Sequence, residues 1–269
     1  SGSRAGRRKR QIVPQHLWHK PVTATTECPG GLDSGIVAGN ARHGDPSQNE
    51  NVDLATVESS KTRPSVGPPR RSVGGVDGQN QSRVETMNRV ESGFFELHLG
   101  GCSERTQYRY VLPGGTHRPD PASRFQPEGV HGWSEVVDAR TFPWRDGSWR
   151  GVPKSELVIY ELHIGTFTEQ GTYLAAIERL DELIELGVTA IELMPIAESP
   201  GRWNWGYDGV DLFAPRRTYG TPSELRQLVD AAHQRDLAVL LDVVYNHLGP
   251  EGNYWGEFGP YLSARHGTP

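Results

Sequence analysis

The sequence predicts an α/β fold: a parallel sheet or barrel in the C-terminal part, preceded by short antiparallel strands. Three observations carry this expectation. Residues 157–164, 188–196 and 237–244 are apolar runs rich in Val, Ile and Leu, the pattern of strands buried on both faces of a parallel sheet. Segments with helical spacing lie between them. The last run then turns polar through Asp242, Tyr245, Asn246 and His247, at the carboxyl end where parallel sheets and barrels gather their ligands.

Taken in order, the chain changes texture twice. Residues 1–83 contain one aromatic, Trp18, and carry 12 Lys and Arg against 7 Asp and Glu, whereas the remainder carries 16 against 26. Rich in Pro, Gly, Ser and Asn and without periodic apolar positions, this part has too little to bury to offset its chain entropy. It is expected to be disordered or a misjoined segment. Its Arg7-Arg8-Lys9-Arg10 cluster reads as solvated charge rather than as a contact for nucleic acid. No secretory-type apolar stretch follows that cluster, and no run is long enough to span a membrane. Cys28 and Cys102 fit neither a disulfide framework nor a metal spacing, so a reducing, cytoplasmic compartment is expected.

Residues 84–152 alternate. Phe95, Leu97 and Leu99 lie on one side of a strand, and Tyr108, Tyr110 and Leu112 repeat the pattern, with Gly100-Gly101 and Pro113-Gly114-Gly115 as turns. A looped stretch follows, carrying Trp133, Phe142, Trp144 and Trp149, which are expected to pack between two domains; an alternative use is as rings that stack on sugar.

From residue 153 to 269 the unit is strand, then helix. After the strand at 157–164, Thr172 opens a helix with Tyr173, Ile177, Leu180 and Ile184 on one face, ended by Gly187. The second strand, 188–196, runs into a long interruption at 197–219, a length that is usually functional in a compact domain. Thr221, Pro222 and Glu224 then form a capping-box helix start, with Leu225, Leu228, Val229 and Ala232 facing the core. The third strand follows at once, so right-handed crossovers predict the first three strands of a parallel sheet or barrel.

Two clusters would meet at the carboxyl end of these strands. One is Trp203-Asn204-Trp205-Gly206-Tyr207-Asp208-Gly209 in the long loop; the other is Asp242 with Tyr245-Asn246-His247. Aromatic planes beside hydrogen-bonding groups suit a sugar, whose apolar face packs on a ring while its hydroxyls bond to polar side chains. Glu161, His163 and Glu192 interrupt apolar strands and would look into the barrel. Unpaired buried charges are costly, so these are expected to pair with one another or with groups outside this chain, in a structural role. Their early position in each strand argues against their being a catalytic pair of carboxylates.

With Asp242-Val243-Val244-Tyr245-Asn246-His247 ending a strand and Asn204-Trp205-Gly206-Tyr207-Asp208-Gly209 in the preceding loop, the chain resembles the alpha-amylase family of glycoside hydrolases. The stretches 198–207, 246–254 and 119–127 are similar to its malto-oligosyltrehalose trehalohydrolase branch. The likeness runs from about residue 89 to the end.

The resemblance implies an incomplete (β/α)8 TIM barrel over 153–269, a partial β-sandwich accessory module with a linker over 84–152, and action on α-1,4-glucans. By that resemblance, Tyr207 stacks under the sugar being cleaved and His247 bonds to it. Asp242 supports the site by holding an arginine near the nucleophile, and Trp205, Asp208 and Asn246 complete the substrate-binding set. The residue types alone allow blander roles: Tyr207 as a loop ring packed on the core, His247 as a cap for a neighbouring backbone segment.

Asn246 matches an amide that binds calcium in many alpha-amylases, but one amide does not make a site of six to eight oxygens. No metal and no cofactor are expected, and the expected partner is malto-oligosyltrehalose or another malto-oligosaccharide, with no nucleic acid and no membrane. The family's nucleophile and acid follow the fourth and fifth strands, so the resemblance implies a fragment that is inactive by itself, its catalytic carboxylates lying beyond Pro269. A glucan branching enzyme is the alternative within the class. A non-catalytic glucan-binding protein, or the product of a pseudogene, is the alternative outside it.

Overall fold

The computed structural model describes residues 36–38, 56–60, 83–89, 95–99, 102–259 and 261. Eight strands come first: β1 (Ile36–Ala38), β2 (Thr56–Ser60), β3 (Arg83–Thr86), β4 (Asn88–Arg89), β5 (Phe95–Leu97), β6 (Gln107–Leu112), β7 (Thr116–Arg118) and β8 (Ser134–Glu135). They form two antiparallel sheets, ordered β1-β5-β4 and β3-β2-β6-β7, with β8 also paired to β6.

Burial along β6 alternates, with Tyr108, Tyr110 and Leu112 turned inward as a half-buried strand requires. They meet Met87, Phe95, Leu99, Cys102 and Val136 in one core, joined by Phe258 from the far end of the chain.

The expectation of disorder for residues 1–83 needs correction at two places. β1 and β2 both lie within it, and β2 has a ladder on each side, to β3 and to β6. Pairing on both edges supplies from distant segments the hydrogen bonds that a search for local apolar periodicity has no means of finding. The Arg7–Arg10 cluster and Trp18 lie outside the described residues.

The second half begins with β9 (Ile159–Leu162), followed by α1 (Ile164–Phe167), α2 (Tyr173–Ile177) and α3 (Leu180–Glu185). Next come β10 (Ala190–Leu193), a hairpin of β11 (Ala197–Glu198) and β12 (Asp211–Pro215), α4 (Pro222–His233), β13 (Ala238–Leu241) and α5 (Trp255–Phe258). β9, β10 and β13 form a parallel sheet with β10 in the middle, Ala190 facing Ile159 on one side and Ala238 on the other. This is a partial TIM-barrel-type α/β arrangement.

Three details differ from the sequence reading. The helix expected from Thr172 to Gly187 is two helices, because Arg179, at φ −103° and ψ −1°, interrupts the ladder; Thr172 still caps the first and Gly187, at φ +89°, still ends the second. The interruption at 197–219 contains a hairpin whose register shifts between Ala197 and Glu198, so no period-two run announces it. Burial on both faces holds only for β10: Ile159, Tyr160, Leu240 and Leu241 on the flanking strands are exposed.

The helix-side core is continuous, from Leu162, Tyr173, Leu180, Ile191 and Leu193 to Leu228 and Leu237. α4 starts as predicted, with both halves of the Thr221–Glu224 capping box formed and Pro222 in the first turn. Its buried Asp230 is satisfied from outside the helix: Arg145 donates its backbone N–H at 2.7 Å and its Nε at 2.9 Å. Trp149 stacks on His233 at 4.6 Å, and His233 reaches Asp146 at 2.7 Å. Of the looped aromatics, Trp149 packs across onto α4 as expected, whereas Phe142 and Trp144 pack on each other and Trp133 lies under Arg109.

Candidate functional site

The tip of the β11–β12 hairpin is a turn that the residues build for themselves. Asn204 Oδ1 accepts the Gly206 N–H at 2.7 Å, and Asn204 Nδ2 donates to Asp208 Oδ2 at 3.1 Å. Gly206 sits at φ +99°, and a Cβ there would lie 1.9 Å from the Pro195 carbonyl oxygen, so only glycine fits. This turn places Trp205 and Tyr207 outward, 62% and 41% exposed.

β13 supplies the other half. The Asp242 N–H continues the parallel ladder by donating to the Leu193 carbonyl at 2.9 Å, which sets the Asp242 side chain at the carboxyl end of the sheet. The Tyr207 phenol donates to Asp242 Oδ2 at 3.3 Å. His247 Nε2 lies 2.9 Å from the Tyr207 carbonyl, which can only accept, so Nε2 carries the proton and Nδ1 accepts from Asn246 Nδ2 at 2.9 Å. Gly249 donates its N–H to the Gly209 carbonyl at 3.1 Å; a side chain at 249 would collide with the Asp208 carbonyl.

The two clusters thus meet. Tyr207, Asp242, Asn246 and His247 form one hydrogen-bonded chain, Asp208 bonds to Asn204 within the turn, and Trp205 stands beside His163. Tyr207 is presented rather than packed on the core. The engagement of His247 Nε2 with backbone is the cap-like contact, and its other ring nitrogen is occupied by the Asn246 side chain. A cleft of about 200 Å³ opens beside the chain, lined among others by Pro195, Gly206, Gly209, Phe213, Asp242 and Tyr245. Partial desolvation, and behind it the charge of Asp242, raises the Tyr207 phenol above its ordinary range, so it keeps its proton and remains a donor.

Glu161 and Glu192 are cross-strand neighbours on the same side of the sheet, and both add negative charge near Tyr207. Their expected mutual pairing is not formed: Glu161 is exposed, Glu192 half-buried, and among the described residues neither has an ion-pair partner. Two ionised carboxylates repel, so register alone does not make them a pair.

The residues that sequence reasoning missed lie at the base of the hairpin. Glu198 is fully buried and accepts from the Arg217 backbone N–H at 2.7 Å and from its guanidinium at 2.6 Å. Arg216, also fully buried, donates to Ser199 Oγ, to Thr218 Oγ1 and to the Gly201 carbonyl. Asp211 pairs in register with Glu198, and its Oδ2 is buried with no hydrogen-bond partner. Burial first, then the nearby Glu198 and Asp120, push the Asp211 carboxyl well above the usual range. The one signal available in the sequence was charge bracketing the turn, with Glu198 before it and Asp211 and Arg216-Arg217 after it.

Among the described residues, no three His, Cys, Asp or Glu side chains converge on a point where a metal ion could sit, and the Asn246 amide is turned to His247. Nor is any described helix long and apolar enough to cross a membrane.

Comparison with known proteins identifies this architecture. Residues 139–261 match the alpha-amylase catalytic domain model. Malto-oligosyltrehalose trehalohydrolase of Saccharolobus solfataricus is 53% identical over 186 residues, covering 69% of this chain and 33% of that protein. The 1,4-alpha-glucan branching enzyme of Vibrio cholerae is more distant, 34% identical over 192 residues, covering 65% of this chain and 26% of that protein. Among solved structures, an alpha-amylase-type protein from Salmonella typhimurium superposes with a TM-score of 0.68 at 46% identity, covering 69% of this chain and 32% of its own. The chain spans about a third of the length of the curated relatives it matches. With its parallel strands, its hairpin turn and its matched stretch of catalytic domain, the chain belongs to the alpha-amylase family.

Proposed function

We propose that this chain carries sugar-binding residues of a retaining glycoside hydrolase acting on α-1,4-glucans, with malto-oligosyltrehalose as the substrate and trehalose as the product. The exposed Tyr207, held at its phenol by Asp242 and at its backbone carbonyl by His247, is the observation that carries the reading. The greater identity to trehalohydrolases than to the branching enzyme favours transfer of the glucan to water over transfer to another chain.

The geometry supports the following roles. A glucosyl ring lies with its apolar face on Tyr207, which Asp242 holds in orientation by accepting the phenol proton. Asp208 and Asn246 offer polar atoms to its hydroxyls, and Trp205 gives a second aromatic wall. His247 donates to the Tyr207 carbonyl, so a direct sugar contact requires it to give up Asn246. In the retaining scheme a carboxylate attacks the anomeric carbon, an acid protonates the leaving oxygen, and water resolves the covalent intermediate. No side chain described above is assigned to those steps. The two antiparallel sheets are read as the accessory β-sandwich module preceding the barrel, and the partner is a malto-oligosaccharide in the cytoplasm rather than nucleic acid or a membrane.

Calorimetric titration of the chain with maltoheptaose and with malto-oligosyltrehalose tests this. Binding is expected for both, tighter for the second, with Tyr207→Ala losing at least about tenfold because a buried aromatic–sugar contact is removed. Unchanged affinity in Tyr207→Ala, or no binding of either sugar, overturns the reading.

A further inference from the structure

We propose that His163 is a positioning residue for this sugar site: its Nε2 holds the carbonyl of Asn204 and, through it, the turn that presents Trp205 and Tyr207. This rests on the glucan reading above. His163 stands just past the carboxyl end of β9, two strands away from His247, and the sequence marks it only as an interruption in an apolar run. The structure gives the two histidines matching work. Each directs Nε2 at a main-chain carbonyl of the same turn, His247 at Tyr207 (2.9 Å) and His163 at Asn204 (3.0 Å). The turn is therefore suspended between the tips of β9 and β13.

The contact at Asn204 is the more enclosed of the two. A carbonyl only accepts, so His163 Nε2 carries the proton, and Nδ1 is left to accept from the Thr166 hydroxyl at 3.1 Å. The Tyr219 hydroxyl lies 2.8 Å from the same Nε2 and 3.4 Å from the same Asn204 carbonyl, completing a triangle. Tyr219 cannot swing away: it is 4% exposed and set edge-on against the buried Tyr173. Gly165 keeps the space open, since a Cβ there would lie 2.9 Å from the Tyr219 ring and 3.0 Å from the imidazole. The His163 ring also stands 5.0 Å from the Trp205 indole, so it supports the aromatic wall directly as well as through the backbone.

Affinity for maltoheptaose in the full chain, measured with the thermal midpoint, tests the role. His163→Leu keeps the bulk and removes the donor; it is expected to weaken binding about tenfold, as small misplacement of a binding group does. His163→Gln, whose amide N–H can stand where Nε2 does, is expected to stay within about threefold of the original, with both variants melting together. That rescue is something a packing role would not produce.

If His163→Leu does not fold, Tyr219→Phe removes one vertex of the triangle and is expected to lose about threefold. Unchanged affinity in His163→Leu or, failing that, in Tyr219→Phe, or failure of Gln alongside Leu, overturns the positioning role while wild-type binding stands. Absence of binding in the wild type sinks the glucan reading itself.

Discussion

The base and the tip of the β11–β12 hairpin, a few residues apart in sequence, are built on opposite terms. The base is dry and charged: Glu198, Asp211 and Arg216 are each 0–2% exposed, and nearly every donor there is spoken for. The tip is open, held through its backbone carbonyls by two histidines, with its indole and phenol facing solvent. Buried charges tolerate no slack, because losing one partner leaves the other without water. Neutral hydrogen bonds at a surface can be exchanged at small cost. The contrast teaches a division of labour, with the base holding the loop's anchor points rigid while the tip keeps rings available to a ligand.

The largest way to break that contrast is Glu198→Ala. It strands the Arg217 backbone N–H and leaves the Arg217 guanidinium without its carboxylate, and it is expected to cost roughly 3–5 kcal/mol, the usual penalty for breaking a buried pair. Urea unfolding would measure it, and a loss below about 1 kcal/mol, the level of an exposed pair, would show that the base is wetter than its burial indicates.

A smaller, pH-dependent effect separates Asp211 from Glu198. Burial raises the folded-state carboxyl of Asp211 above its unfolded value, so the folded protein binds the proton more tightly. The resulting stability is fully present below the unfolded pKa and is lost as pH rises through the folded one. Asp211→Asn, which cannot ionise, is therefore expected to gain stability relative to wild type as pH increases from the ordinary carboxylate range upward. Parallel stability–pH curves for the two proteins would refute that assignment.

The smallest effect belongs to the tip. Tyr207→Phe removes only a 3.3 Å hydrogen bond to Asp242 and is expected to change stability by less than about 1 kcal/mol. A change as large as that of Glu198→Ala would erase the distinction between the two regions.

Much of this was legible in advance. The capping box at Thr221 and Glu224 follows from local chemistry, and the parallel order of the three strands from period and alternation, which in turn places residues 204–209 and 242–247 at the same end of the sheet. The hairpin was not legible, because a two-residue strand with a register shift has no period to read. His163 was read as one of a set of strand charges, whereas its partners Asn204 and Tyr219 lie 41 and 56 residues away. β1 and β2 escaped for the same reason, since their ladders close onto strands that a local window never sees.

By itself the sequence determined where chains turn, which helix begins at Thr221, and that rings and polar groups would gather at the carboxyl ends of parallel strands. Those features depend on neighbours within one or two turns, and side-chain type is enough to specify them. Only the tertiary structure decided that His163 and His247 hold the same turn from two strands, and that Glu198 and Asp211 are buried together beneath it. Such contacts are made by groups far apart in the chain, whose distances exist only once the sheet has set its register.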